Sequence, residues 1–236
     1  MDTIKNLKIL RFKELVSTQD YCKERIGKRE NLFVVADRQT KGRGTKNREF
    51  SSLLGGLYFS MLLYPADFPA ENAFLVMART AAAVCKTLEA FGLQPKIKWP
   101  NDVHVKGKKI CGILIENRLQ GKRLDLSLIG VGLNVNNDLP DELKEIALSM
   151  KSVIGKRTEI CEAEELFRGF FFAPFSFEEY TKRLGYMGEE VTLLVGEKTA
   201  RVTLLGVDEK GLLKASVDGK EVLFSAGEVA LKDWKK

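Results

Sequence analysis

The strongest restriction on the fold comes from residues 95–136, where short apolar runs alternate with polar turns. The turns are KGKK at residues 106–109 and QGKR at residues 120–123. Apolar runs bounded by turns of this kind predict β-strands. Because short turns join antiparallel neighbours, the region predicts several consecutive strands of one antiparallel sheet.

Helical patterns stand on both sides of this region. The clearest covers residues 71–92, where apolar side chains recur at helical spacing and Gly92 is a candidate C-cap. An earlier helix is predicted to start at Ser17 or Thr18, either of which can serve as its N-cap. Further helices are predicted over residues 141–150 and 161–184, the second broken at Pro174, and buried strands over residues 32–36 and 55–64. Together these segments predict an α+β fold, with helices flanking a sheet.

The pattern of the chain changes after Gly185. Short strand patterns follow one another there, with turns roughly every eight to twelve residues. This spacing is typical of a small all-β barrel. We therefore predict two domains, a larger one over residues 1–185 and a small barrel over residues 186–236.

The histidines and cysteines of the sequence exclude several classes of catalytic and metal-binding site. His104 is the only histidine, so neither a Ser-His-Asp triad nor a metal site built from several histidines is expected. The cysteines are Cys22, Cys85, Cys111 and Cys161. They include no C-x-x-C pair and fit no zinc spacing, so we expect them to be small buried apolar residues.

Charge and hydropathy restrict the partners. No apolar run reaches the roughly eighteen residues of a membrane span, so none is expected. The first residues lack the long apolar segment of a secretory signal, which predicts a cytoplasmic location.

The formal net charge is +6, and residues 1–185 hold 30 basic and 23 acidic groups. This excess favours anionic partners such as phosphates, acidic proteins or nucleic acid.

The segment KGRGTKNREF, residues 41–50, joins two apolar runs. Gly42 and Gly44 allow the backbone to pass close to a ligand, and Arg43 stands between them among further cations. Glycines and cations together can hold a phosphate. The spacing is neither that of a Walker A loop nor that of a dinucleotide-binding fingerprint. A solvated basic turn is the alternative interpretation.

Three other stretches carry chemistry. KWPND, residues 98–102, places Asp102 just beyond a strand end, where it could hold Mg²⁺, orient a nucleophile, or only cap a turn. Lys109 precedes an apolar strand, so its ammonium can enter a pocket or lie in a solvated hairpin. The small residues of 129–136 leave room for a flat ligand beside Asn134, or pack tightly as a core strand.

In this order and spacing, the motifs resemble the biotin protein ligases, also called biotin–[acetyl-CoA-carboxylase] ligases. The matching segments are STQD, ADRQTKGRGTKNREF, GGLYFSMLL, KWPND, KKICGILIE, GVGLNVN and a C-terminal GEVALK, so the resemblance covers nearly the whole chain. It implies a mixed sheet with flanking helices, related to the catalytic domains of class II aminoacyl-tRNA synthetases. A small SH3-like β-barrel is expected to follow.

The resemblance also implies a two-step reaction. Biotin and MgATP give biotinyl-5′-AMP and pyrophosphate, and a lysine of the biotin carboxyl carrier protein of acetyl-CoA carboxylase then attacks the adenylate. Because a carboxylate is already ionised at pH 7, the first step needs neutralisation of negative charge rather than a general base. Residues 41–50 would close as a lid that keeps water from the adenylate.

Individual residues acquire roles from the same resemblance. The implied catalytic residues are Arg43, Lys109 and Asp102. The implied biotin-binding residues are Ser17, Thr18, Gln19, Gln39, Gly42, Arg43, Gly44, Thr45, Lys109 and Gly112. The residues implied to bind ATP or the adenylate are Arg43, Arg48, Lys98, Asn101 and Asn134. Asp102 is also the candidate Mg²⁺ ligand, or the group that positions the carrier lysine.

The sequence departs from the family pattern at four positions. Thr45 and Asn47 replace an Arg and a Gly of the family loop G-R-G-R-x-G-R. Gln19 stands where Asn is common, and Lys232 stands where the last strand usually carries Arg. The loss of a loop cation puts retention of the adenylate in doubt.

Partners and rival functions complete the expectations. Some family members also repress transcription through a winged-helix domain ahead of the Ser-Thr motif, and only sixteen residues precede Ser17 here. We therefore expect the monofunctional form, without sequence-specific DNA binding, and a homodimer, as is common in the family. One alternative is a lipoate–protein ligase, which uses the same two-step chemistry. The other is a basic RNA-binding module, although few aromatics accompany the basic stretches.

Overall fold

The computed structural model describes residue 4 and residues 6–45, 48–227 and 229–231. Within these ranges the larger sheet consists of β1 (Lys8–Leu15), β2 (Leu32–Gln39), β3 (Leu57–Leu63), β4 (Lys96–Lys98), β5 (Asp102–Val105), β6 (Lys108–Gln120) and β7 (Arg123–Leu133). Its strand order is β1-β2-β3-β7-β6-β5-β4. β1 and β2 are parallel, and the other neighbours are antiparallel. The antiparallel arrangement predicted for residues 95–136 is confirmed.

The helices are α1 (Thr18–Lys23), α2 (Phe74–Ala90), α3 (Met150–Ile154), α4 (Ile160–Phe172) and α5 (Glu178–Thr181). Short 3-10 turns lie at Ile26–Lys28, Ala70–Asn72 and Asp141–Leu143. The Ser17 hydroxyl caps α1 by accepting a hydrogen bond from the backbone N–H of Asp20, as predicted. Helical segments on either side of Pro174 are also confirmed.

The main core lies between the sheet and the α2 and α4 helices. The rings of Phe33 and Phe59 stack with their centroids 4.8 Å apart, and the ring of Phe167 from α4 lies 4.7 Å from that of Phe59. Full burial of one such ring stabilises the fold by about 1.5–3 kcal/mol. A smaller apolar cluster, which includes Cys22 and Leu62, packs under α1 on the other face of the sheet. α1 is therefore held firmly against the strands.

A second sheet forms from the last part of the chain. Its strands are β8 (Glu190–Val195), β9 (Lys198–Val207), β10 (Leu213–Val217), β11 (Lys220–Phe224) and β12 (Val229–Leu231), in the order β11-β10-β9-β8-β12. All pairings are antiparallel. A small all-β unit is thus confirmed, but within the described ranges β11 does not pair with β12, so the sheet is open rather than a closed barrel. Lys232 lies outside these ranges.

The helix predicted over residues 141–150 is wrong. After the 3-10 turn, the chain is extended beside the start of β6. The backbone N–H of Lys109 donates to the Ile146 carbonyl, and the N–H of Leu148 donates to the Lys109 carbonyl, both at 2.9 Å. Pairing with a strand edge outweighs the local helical preference. Helix starts again only at Met150, in α3.

Candidate active site

Two adjoining cavities open beside the centre of the large sheet. The first lies between α1, the loop of residues 41–50 and strands β3, β6 and β7. The second lies beside it, between the same loop, β5 and the extended segment before α3. Both cavities are lined by Gly44, Thr45, Phe50, Asp102 and Lys109. A ligand that fills both cavities would therefore contact these five residues.

A buried polar cluster closes the inner end of the first cavity. The backbone N–H and the hydroxyl of Thr18 both donate to Gln39 Oε1, at 2.8 and 3.0 Å. The Thr18 hydroxyl also lies 2.8 Å from the hydroxyl of Ser60, and Gln39 Nε2 donates to the Ser52 hydroxyl at 2.9 Å. These groups sit in an otherwise apolar wall, an arrangement suited to orienting a small polar ring.

Gln19 occupies the side of the same cavity. Its Nε2 donates to Glu116 Oε1 at 3.1 Å, and the ammonium of Lys23 pairs with the same carboxylate at 2.8 Å. Gln19 also fills the space above Gly130, where an added Cβ would come within 2.8 Å of Gln19 Oε1. Gln19 is one methylene longer than the Asn that is common at this position in the resembling sequences, and Gly130 on β7 leaves room for the longer side chain.

Backbone hydrogen bonds join the described residues on the two sides of the loop of residues 41–50. The N–H of Gly44 donates to the Arg48 carbonyl at 2.8 Å, and the N–H of Phe50 donates to the Gly42 carbonyl at 2.9 Å. Arg43 Nε donates to Asp20 Oδ2 at 3.0 Å, which ties the loop to α1. Lys46 and Asn47 lie outside the described ranges.

Phe50 forms an aromatic wall between the loop and the sheet. Its ring lies against Gly112 and Gly132, which face each other across β6 and β7. A side chain at Gly132 would collide with the ring. The ammonium of Lys109 lies 5.8 Å from the ring centroid. The two glycines therefore provide the space in which Phe50 and a ligand can approach the strands.

An ion pair marks the place where the cavities meet. Lys109 Nζ lies 2.8 Å from Asp102 Oδ1, and both side chains are partly buried. The adjacent Asn101 is fixed to β6, because its Nδ2 donates to the Ile113 carbonyl at 2.8 Å and its own carbonyl accepts from the Ile113 N–H. The KWPND segment therefore delivers a carboxylate, and the start of β6 delivers a cation, to one point.

The second cavity is lined by cations and by apolar side chains. Desolvation lowers the pKa of Lys98, while the nearby Asp102 opposes this shift. Burial also lowers the pKa of His104 to about 4, so its ring is neutral at pH 7. Arg48 stands at the loop side of the cavity, and Leu139 is part of its apolar wall. The cavity thus combines three cations, two carboxylates and an apolar wall.

Asn134 lines this cavity, but both ends of its amide already have protein partners. Its Nδ2 donates to the Leu148 carbonyl at 3.2 Å, and its Oδ1 accepts from Asn137 Nδ2 at 3.0 Å. The side chain is only 3% exposed. In this structure it joins the end of β7 to the segment before α3.

The residues predicted from the sequence largely converge. Those at the first cavity are Ser17, Thr18, Gln19, Gln39, Arg43, Gly44, Thr45, Asn101, Asp102, Lys109 and Gly112. Arg48, Lys98 and Asn134 line the second cavity. Gly42, within the loop, lines a neighbouring surface groove and neither of the two cavities. Phe50 and Ser60 line the first cavity but carried no prediction.

The described part of the chain shows neither a metal-binding cluster nor a membrane-spanning helix. Among the residues that the structure describes, no group of three or more His, Cys, Asp or Glu side chains could hold a metal ion. Of the carboxylates at the cavities, that of Asp102 already faces a lysine ammonium. No helix in the described part of the chain has the length and apolar character needed to cross a membrane.

The fold and the paired cavities define an α+β protein with a polar pocket beside a cavity that cations line. The biotin/lipoate A/B protein ligase family matches residues 12–134. The chain belongs to this family.

Individual relatives agree with this assignment. The bifunctional ligase/repressor BirA of Bacillus subtilis is 36% identical over 217 residues, and the match covers 84% of this chain but only 65% of that protein. The biotin--[acetyl-CoA-carboxylase] ligase of Paracoccus denitrificans is 25% identical over 219 residues, covering 83% and 89%. Among solved structures, the biotin protein ligase from Aquifex aeolicus in complex with biotin and ATP is 34% identical. It has a TM-score of 0.74 and covers 97% of this chain and 99% of that one.

Proposed function

We propose that this protein attaches biotin to a lysine of a carrier protein, with biotinyl-5′-AMP as the intermediate. The observation that carries the proposal is that the two cavities share the Lys109–Asp102 pair. A small acid in the first cavity would present its carboxylate to the phosphates of a nucleotide in the second, at the point where a cation stands. The similar Aquifex aeolicus protein has been solved with biotin and ATP bound.

The first cavity suits the two halves of biotin. The ureido ring needs donors and acceptors, which the cluster of Thr18, Gln39 and Ser60 supplies. The aliphatic chain needs an apolar channel, which Phe50 and Val131 border. Such a pocket combines a few fixed polar groups with apolar walls. In this proposal, Ser17 and Gln19 bind the same ring, and Gly42, Gly44, Thr45 and Gly112 keep the backbone close to the ligand.

Adenylation needs no proton transfer. A carboxylate oxygen of biotin attacks the α-phosphorus of ATP, a new C–O–P linkage forms, and the bond to pyrophosphate breaks with its electron pair. Negative charge builds up where two anions meet, so fixed cations stabilise the transition state. We assign this role to Lys109 and Arg43. Mg²⁺ arrives as part of the substrate MgATP, as is usual for phosphate-bound magnesium.

The nucleotide would occupy the second cavity. Lys98 and Arg48 would hold the phosphates, and Asn101 would hold the nucleotide end of the adenylate. Asn134 would act by fixing the segment before α3 against the nucleotide, because its amide is already bonded to Leu148 and Asn137. Asp102 would orient Lys109 in this step, and a role as Mg²⁺ ligand remains the alternative for its second oxygen.

Transfer follows at the same point. The amine of the carrier lysine attacks the carbonyl carbon of the mixed anhydride, the bond to AMP breaks, and the amine loses a proton as the amide forms. Asp102, held at the mouth of the first cavity, would orient that amine. The folded loop of residues 41–50 would keep water from the adenylate until the carrier arrives.

The rival functions are less well supported. A lipoate–protein ligase would share the adenylation site, but its substrate has no ureido ring to match the buried polar cluster. An RNA-binding module would need exposed aromatics for base stacking. Of the two phenylalanines at the first cavity, Phe50 packs against Gly112 and Gly132, and Phe59 is buried against Phe33.

Several finer features belong to the same proposal. We propose that residues 1–185 form a catalytic domain of the class II aminoacyl-tRNA synthetase type and that residues 186–236 form an SH3-like barrel. The carrier would be the biotin carboxyl carrier protein of acetyl-CoA carboxylase, and the ligase would work as a homodimer. All four cysteines are unpaired, as is usual in the reducing cytosol where we place the reaction.

Biotin-dependent pyrophosphate exchange tests the proposal. With MgATP present, labelled pyrophosphate should enter ATP only when biotin is added, because the first step is reversible. Exchange that responds to lipoate and not to biotin would replace biotin by lipoate as the substrate. Steeply salt-dependent RNA binding without any exchange would favour the RNA-binding module.

Substitution of Thr45 tests how strongly the loop retains the adenylate. Its side chain is exposed and lines both cavities, at the position where the family often carries Arg. We expect Thr45→Arg to slow loss of bound biotinyl-AMP only about threefold, because Lys41 and Arg48 keep the loop basic. If the neighbouring cations did not compensate, the new Arg would add one charge-assisted hydrogen bond, worth about 1.5–3 kcal/mol. Loss of biotinyl-AMP would then slow about tenfold or more.

The measurement follows radiolabelled biotinyl-AMP on each protein after free ligand is removed and without carrier. Thr45→Gln lengthens the side chain without adding charge and serves as the control. A gain well above tenfold, found only in the Arg variant, would contradict compensation by the neighbouring cations.

A further inference from the structure

The five-stranded sheet contacts the KWPND segment directly. The indole N–H of Trp99 donates to the carbonyl oxygen of Gly211 at 3.1 Å, across 112 positions of the sequence. Gly211 belongs to the turn between β9 and β10. Both residues are buried. A buried N–H of this kind costs stability if its partner is lost, so the bond fixes the indole relative to the turn.

The turn itself is rigidly built. Asp208 Oδ1 accepts hydrogen bonds from the backbone N–H groups of Lys210 and Leu212, at 3.0 and 2.8 Å. The N–H of Gly211 donates to the Asp208 carbonyl, and the N–H of Asp208 donates to the Leu212 carbonyl. These bonds determine where the Gly211 carbonyl points.

Only glycine fits at the contact. Gly211 has a φ of +86°, which other L-residues rarely adopt, and an added Cβ would collide with the ring of Phe74 from α2. The Phe74 ring packs edge-on against Tyr180, whose hydroxyl donates to the Pro100 carbonyl at 3.2 Å. The outer side of KWPND is therefore held at two successive residues by later parts of the chain.

The inner side of the same segment carries the reacting groups. Asn101 is bonded to Ile113 on β6, and Asp102 pairs with Lys109 where the cavities meet. The segment is short, so a displacement of Trp99 would be transmitted within three residues to the carboxylate. The polar cluster at the inner end of the first cavity is attached to α1, β2 and β3 instead.

We infer that Trp99 is a positioning residue, and that the turn of residues 208–211 in the five-stranded sheet sets the placement of Asp102 and Lys109 for adenylation. The inference rests on the proposed function, because adenylation is the step it concerns. The five-stranded sheet thereby acts on the first chemical step although its turn does not line either cavity. Biotin affinity depends mainly on the polar cluster at the opposite end of the site, so a displacement of Lys109 should reduce it much less than the exchange rate.

Two turn glycines of the five-stranded sheet provide a matched pair. Gly211→Ala introduces a methyl group against Phe74 beside the Trp99 bond. Gly219 lies in the turn between β10 and β11 with a similar φ of +78°, and an added Cβ there meets nothing within 4 Å. Gly219→Ala therefore carries comparable backbone strain without touching the KWPND segment. Trp99→Phe, a third variant, removes the N–H donor and keeps an aromatic ring.

The readouts are the exchange rate at saturating biotin and MgATP, and the affinity for biotin measured by calorimetry. We expect Gly211→Ala and Trp99→Phe to lower the exchange rate about tenfold, since small misplacements of catalytic groups have effects of this order or larger. Gly219→Ala should stay within about twofold of the wild-type rate, as strain alone should leave the placement of the reacting groups unchanged. In all three variants, biotin affinity should change much less than the exchange rate of Gly211→Ala.

Each other outcome overturns a defined claim. Equal loss of exchange in the two glycine variants would show that the sheet acts only through its stability. A loss of biotin affinity in Gly211→Ala as large as its loss of exchange, or an unchanged rate in Trp99→Phe, would also overturn the inference. The Trp99→Phe result decides the matter if Gly211→Ala does not fold. A wild-type protein without biotin-dependent exchange would overturn the proposed function, and the inference with it.

Discussion

Replacing Lys109 with alanine should slow biotin-dependent pyrophosphate exchange by about 30- to 1,000-fold, or about 2–4 kcal/mol. The ammonium lies 2.8 Å from Asp102 at the junction of the two cavities, where a carboxylate and a triphosphate would meet. The Asp102 partner holds the cation in place before the substrates bind. A preorganised charge in a partly enclosed site is poorly replaced by water.

The neighbouring lysine provides the control. Lys108 points away from the junction and donates to the Lys144 carbonyl at an exposed position, so Lys108→Ala should leave the exchange rate within about twofold of wild type, like most changes at such surfaces. Lys109→Arg should not restore the rate, because a planar guanidinium does not replace a compact ammonium. Wild-type exchange in Lys109→Ala would exclude the assigned role.

The sequence correctly predicted the strand pairs that short turns join. The hairpins β5–β6 and β6–β7 follow from KGKK and QGKR, because a short turn favours antiparallel pairing of the strands it joins. The placement of β3 beside β7, and the parallel pairing of β1 with β2, join segments far apart in the sequence. The helix predicted over residues 141–150 is absent for a related reason. This segment forms backbone hydrogen bonds with Lys109, which is distant in the sequence, and a local helical pattern cannot reveal that pairing.

The site shows a similar division. Residues at the motifs converge because those motifs lie at strand ends and in one loop. Ser60 was missed because a single hydroxyl in the apolar run LYFSMLL resembles a core position, and its partner Thr18 is 42 residues away. Phe50 was missed because its significance depends on Gly112 and Gly132, which only the folded sheet brings opposite one another. Both residues became identifiable only through their partners.

The second large effect is expected at Gly42. An alanine Cβ there would collide with the carbonyl oxygen of Phe50 and the hydroxyl of Ser52, and would lie 3.2 Å from Gln39 Nε2. The Phe50 carbonyl is backbone, so the loop itself would have to move away from β2. That movement would also disturb the bond from Gln39 to Ser52, which belongs to the polar cluster. We expect the exchange rate to fall about 100-fold, as for a displacement near 1 Å of positioned groups.

Gly44 is the matched control in the same loop. Its added Cβ would meet the Arg48 carbonyl at 3.2 Å, a contact that a shift of a few tenths of an ångström relieves. Neither glycine has a positive φ, so the two alanine variants differ in space and not in backbone strain. Gly44→Ala should therefore lose no more than about fivefold, within the range of modest overpacking. Exchange rates, biotin affinities and melting temperatures of both variants should be measured together. If Gly42→Ala folds and retains a rate close to that of Gly44→Ala, the close approach at Gly42 does not hold the loop over the site.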